Sequence, residues 1–186
     1  MSKITLCFLL IFLKCSCVFS QDYEELYNKM LHFKTPVEYD EMDCEMMEVT
    51  DYLLNICYNE ERLQEDYGYK AMVNWMDNTE VYHVIEGGKV KENCPKRSVL
   101  LNISKISMTK YLFQNDSIVQ YSGPVRYVNI NRVREIINGG AEVFMEYLSI
   151  QEKATVKKHF NKELQKGFKM YKEGLLDEFM RPNKQQ

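Results

Sequence analysis

The chain has 186 residues, with 24 lysines and arginines against 27 aspartates and glutamates, a formal net charge of −3. That acidic balance argues against a nucleic-acid binder, which needs a basic footprint to meet phosphate. Aromatic residues make up 12% of the sequence while glycine (8) and proline (4) are scarce, which excludes disordered and collagen-like chains.

The chain opens MSKITLCFLLIFLKCSCVFS, in which Lys3 precedes the apolar run Ile4–Leu13 and Val18 and Ser20 occupy the small-residue positions before a cut. This is the pattern of a secretory signal peptide over residues 1–20, leaving one globular domain over residues 21–186. The run is shorter than the ~18–20 apolar residues of a membrane-spanning helix, so no stable membrane insertion is expected. The expected product is secreted and extracellular. Three of the 6 cysteines leave with the leader, and Cys44, Cys57 and Cys94 remain in an oxidising compartment. Asn102-Ile-Ser and Asn115-Asp-Ser are acceptor sites for N-linked glycan there.

Beyond the leader, three zones follow. From Gln21 to about Asn78 the pattern is helical: DYEELYNKMLHF ends at Thr35-Pro36. Tyr39, Met42, Met46, Val49, Leu53 and Ile56 then recur every three or four residues on one helical face. A further helix is expected over Leu63–Met76, weakened by Gly68. From about Thr79 to Ile130 strands are expected. EVYHVIE and KVKEN flank Gly87-Gly88, YLFQ and SIVQY flank Asn115-Asp116, and PVRYVNI follows Gly123. SVLLNISKI is β-branched and apolar, though its spacing also suits a helix. The last zone is helical again: Asn131 caps a helix that Asn138-Gly139-Gly140 stops, and AEVFMEYLSI restarts it. The apolar stripe Val156, Phe160, Leu164, Phe168, Tyr171, Leu175 and Phe179 runs on with Gly167 and Gly174 as points of bending. The expected fold class is α+β, with helices at both ends flanking a small antiparallel sheet; the alternative is an all-α bundle.

A continuous helix across Cys44 and Cys57 separates them by ~20 Å of rise, far beyond the ~7 Å between Cα atoms that a disulfide allows. At 100° per residue Cys57 joins the apolar face and Cys44 lies opposite. The expected disulfide is therefore Cys44–Cys94 with Cys57 free; the close competitor is Cys57–Cys94, which leaves Cys44 available for a disulfide-linked dimer.

Charge is segregated. Gln21–Asp66 holds fourteen acidic and three basic residues, and Lys153–Lys172 holds seven lysines and one acid. Solvated helix faces explain both. The sharper reading makes Lys153, Lys157, Lys158, Lys162, Lys166 and Lys169 a weak polyanion-binding face. His32, His83 and His159 are scattered, with neither HExxH nor CxxC spacing, and there is no GxSxG nucleophile elbow and no glycine-rich phosphate loop. Neither a metal, a cofactor nor an enzymatic activity is expected.

Ten of the 11 methionines lie beyond residue 20. They serve as core filling or line a cavity for an apolar ligand. Two functions follow from these features. The first is a secreted glycoprotein that acts non-enzymatically by binding an extracellular protein, as effector, ligand or inhibitor. The second is a carrier of a small apolar ligand in a Met/aromatic-lined cavity.

Overall fold

The computed structural model of the chain describes residues 23–80, 88–96, 98–115, 119–122, 125–151 and 161–181. The expected leader over residues 1–20, the EVYHVIE strand, and His83 and His159 lie outside the described residues.

Helix α1 covers residues 23–30, followed by α2 (Pro36–Asp40) and α3 (Asp43–Asn55). The stripe expected along this stretch is real: Tyr39, Met42, Met46, Val49 and Leu53 are all buried. It is carried by two helices rather than one, because the chain turns at Glu41-Met42. Thr35 and Glu38 start α2, with the Lys34 and Thr35 amides donating to Glu38 Oε2 at 2.7 and 2.8 Å. Two hydrogen bonds tie α1 and α2 to the core. Trp75 Nε1 donates to the Tyr39 carbonyl at 2.7 Å, and the Tyr39 hydroxyl donates to the Met30 carbonyl at 3.1 Å.

The helix expected over Leu63–Met76 is also two, α4 (Glu60–Glu65) and α5 (Tyr67–Asn78). The break falls at Asp66, not at Gly68. Asp66 has extended backbone and its Oδ1 accepts from the Tyr69 amide at 3.0 Å, capping α5. Asn59 caps α4 through the Arg62 amide at 3.1 Å. Each such cap stabilises by about 1 kcal/mol.

The middle zone overturns the α+β expectation. The chain is mostly helical and fits the all-helical bundle kept as the alternative. KVKEN is helix α6 (Lys89–Asn93), and SVLLNISKI together with YLF belongs to α7 (Val99–Phe113), capped by Ser98. The only strands among the described residues are β1 (Val119–Ser122) and β2 (Val125–Val128), an antiparallel ribbon pairing Val119 with Val128 and Ser122 with Val125. Val125–Val128 is the strand expected of PVRYVNI, and Gly123-Pro124 lies outside the described residues. Of Asn115-Asp116, expected as a hairpin turn, Asn115 follows the end of α7 and Asp116 lies outside the described residues.

Helix α7 is central, packing against α3, α6 and α8. Leu100, Ile103, Ile106 and Leu112 are fully buried, and so are Ser104, Ser107 and Thr109. Those hydroxyls return their hydrogen bonds to carbonyls of their own helix, Ser107 to Ile103 at 2.9 Å and Ser104 to Leu101 at 2.7 Å. Burial on so many sides leaves α7 without an amphipathic period, which explains the strand expectation.

A 3₁₀ turn (Ile130–Arg132) leads into α8 (Val133–Ile150), which runs straight through Asn138-Gly139-Gly140. Two expectations are corrected here. Asn131 is not the cap, since Arg132 occupies that position, and the glycine pair does not stop the helix. The pair is instead the contact with α7: a Cβ on Gly139 would fall 2.1 Å from the Tyr111 ring. Helices α9 (Lys162–Lys172) and α10 (Leu176–Met180) close the described chain, packing on each other and on α8. The break between them is at Gly174, whose φ of +72° is costly for any residue with a Cβ. Gly167 receives the Phe179 ring, with 2.6 Å left for a Cβ.

Candidate functional site

Two clefts of several hundred Å³ open among the described residues. The first, about 340 Å³, lies between the start of α1, the end of α3, and α4–α5. Its aromatic wall is Tyr23 against Tyr52, ring centroids 4.9 Å apart and planes tilted by 43°. The Tyr52 hydroxyl donates to Asp66 Oδ2 at 2.6 Å while Asp66 Oδ1 caps α5, so one carboxylate fixes both the ring and the helix start. Burial, then the hydrogen bond to Asp66, pushes the Tyr52 hydroxyl above its ordinary pKa. Ile56 and Leu63 supply apolar lining, and Cys57, Arg62 and Glu65 complete the cleft.

The second cleft, about 380 Å³, is bounded by Tyr111, Glu135, Asn138, Glu142, Tyr171 and Asp177, among others. Arg132 holds Glu135 in a two-pronged contact, Nε to Oε2 at 2.8 Å and Nη2 to Oε1 at 2.6 Å. That contact keeps the Glu135 carboxyl below its usual range. Tyr111, donating to Glu135 at 3.3 Å, is pushed up by burial and by that carboxylate. The acids here are bound to neighbours or exposed. Among the described residues no group of three or more His, Cys, Asp or Glu side chains could hold a metal. No described helix is long and apolar enough to cross a membrane.

Most of the methionines go to the core, Met47 being exposed. Met30, Met46, Met72 and Met145 are fully buried, and Met42, Met108 and Met180 nearly so. The gap lined by Met108 and Met180 measures about 10 Å³, less than a water molecule needs.

All three cysteines of the described chain are free thiols. Cys44 is exposed on α3, on the outward side expected of it. Cys57 was expected on the apolar face and is instead exposed. Helix α3 ends at Asn55 and Ile56 is extended, so the helical rotation does not reach Cys57. Cys94 ends α6 and is buried; burial pushes its thiol up to about 12, opposed in part by its contact with the Ser104 side chain. The two sequon asparagines differ. Asn102 lies inside α7 and its Nδ2 donates to the Tyr69 hydroxyl at 2.8 Å. Asn115 follows the end of α7 and donates to the Tyr111 carbonyl at 2.7 Å.

Of the six lysines expected to form one face, Lys162, Lys166 and Lys169 stand exposed along α9; Lys153, Lys157 and Lys158 lie outside the described residues. Lys169 pairs with Glu173 at 3.8 Å. On the opposite sign, Glu41, Glu45 and Glu48 are exposed across α2–α3. Val37 and Met47 lie on the same two helices and Leu31 just before them, all three large apolar side chains exposed to solvent.

Sequence reasoning missed both clefts. The signal available for the first was the tyrosine-rich spacing of Tyr23, Tyr52 and Tyr67, whose meeting depends on the fold. No protein-family model matches the chain, and no curated protein or solved structure matches it either.

Proposed function

We propose that the protein is a secreted glycoprotein that acts without catalysis, by binding an extracellular protein partner. The observation that carries this reading is the outer face of α2–α3. Val37 of α2 and Met47 of α3 are exposed on a stretch that also exposes Glu41, Glu45 and Glu48, with Leu31 exposed just before α2. Large exposed apolar side chains set among charges of one sign suit a partner surface with apolar contacts and basic groups. The methionine-filled core favours this reading over a carrier, which needs an internal apolar cavity. The leader-like residues 1–20 and the two sequons support an extracellular setting.

Expression in a secreting cell tests the setting, and affinity capture from extracellular fluid tests the binding. The expected result is release of a product that begins at Gln21 and retains a specific protein ligand at physiological salt. Retention of the whole chain inside the cell, or release of a product that captures nothing, contradicts it.

A further inference from the structure

We propose that the cleft walled by Tyr23, Tyr52 and Tyr67 is a binding site for a small aromatic molecule that carries no negative charge. It is a site independent of the α2–α3 face and does not rest on the partner-binding reading.

Four observations lead to that chemistry. The volume, about 340 Å³, falls within the roughly 300–1,000 Å³ of small-ligand pockets. Tyr52 is held rigidly, because its hydroxyl is bound to Asp66 at 2.6 Å. The ring thus offers its face rather than a hydrogen bond, and Tyr23, tilted against it at 4.9 Å, makes the wall two rings wide. Asp66 is also spent, since its other oxygen caps α5 at 3.0 Å. The charged side chains of the lining are Arg62, Glu65 and Asp66, one positive and two negative, so an anion is disfavoured. The cleft therefore offers aromatic rings, the half-buried apolar surface of Ile56, and a net negative charge that turns away anions.

The floor is shaped by Gly68. A Cβ there would stand 3.2 Å from both the Tyr23 and the Tyr52 ring, so a side chain at this position would press the wall outward. Glycine lets the two rings close on the start of α5.

Cys57 is an internal reporter for occupancy, because its thiol is exposed and in the lining of the cleft. Cys44, exposed on α3 and not in that lining, is the reference within the same molecule. The experiment measures iodoacetamide labelling of both thiols in the native protein, by peptide mass spectrometry, as indole is added to millimolar concentration. The expected result is a several-fold slowing at Cys57 with the rate at Cys44 unchanged. Cyclohexanol at the same concentration is expected to protect Cys57 less. No slowing at Cys57, equal slowing at both thiols, or equal protection by cyclohexanol would overturn the proposal.

Discussion

Gly140 of α8 lies so close to Met108 of α7 that a Cβ on it would fall 2.2 Å from Met108 Cγ and 2.7 Å from its Cα. The second distance is to backbone, so a rotamer change cannot relieve it. Gly140→Ala is therefore expected to destabilise the fold by about 1–3 kcal/mol through overpacking. This outweighs the ~1 kcal/mol that alanine gains over glycine in helix propensity. Urea unfolding followed by the fluorescence of Trp75, the chain's one tryptophan, checks it. An unchanged or raised midpoint would contradict this packing of α7 on α8.

Cys94 supplies a pH dependence. Its folded pKa is raised, to about 12 from an ordinary 9.0, because burial disfavours the thiolate. The unfolded chain thus loses its thiol proton first as pH rises, and stability present below pH 9 is lost progressively toward pH 12. Tyr58 and Tyr147, also raised by burial, add to the loss at the alkaline end. Denaturation midpoints measured across this range are expected to fall, and Cys94→Ala is expected to flatten the first part of the decline. A midpoint independent of pH would count against the burial of these groups.

Glycan is expected on Asn115 and not on Asn102. Both side-chain amides are hydrogen-bonded, Asn102 to Tyr69 and Asn115 to the Tyr111 carbonyl, but Asn102 lies inside a central helix whereas Asn115 lies beyond the helix end. Glycosidase treatment in heavy-oxygen water, followed by peptide mass analysis of secreted material, locates the modified site. Occupancy at Asn102 would mean that α7 forms only after the sugar is attached, or does not form as described.

The lysines of α9 define a weaker contact, which we propose is with a sulfated polyanion. Changing Lys162, Lys166 and Lys169 together to glutamine is expected to lower the salt needed for elution from immobilised heparin. Elution at the same salt would assign these exposed lysines to solvation alone.

What could be read along the chain follows from how one-sided each element is. Helix α3 buries Met46, Val49 and Leu53 and exposes Cys44 and Met47, so its periodicity is visible in the sequence. Helix α7 buries residues around most of its circumference, and its β-branched, apolar run loses the period that separates helix from strand. Asn138-Gly139-Gly140 has the composition of a stop signal, but the neighbouring Tyr111 and Met108 need the missing side chains. Cys57 shows how far a helical wheel can be trusted: two residues past the end of α3, its direction is set by the extended Ile56. The tyrosine cleft was not legible, because Tyr23, Tyr52 and Asp66 are distant in sequence and meet only after folding.

The proposed role has the protein hold an extracellular partner through the exposed residues of α2–α3. The most direct measurement compares affinity capture from extracellular fluid by the native protein and by Val37→Glu and Met47→Glu variants. Both substituted side chains are exposed, so the variants are expected to keep the native unfolding midpoint. The account predicts a specific protein retained by the native chain and lost from both folded variants. Equal capture by native and variant chains, or no protein retained by any of them, would contradict it.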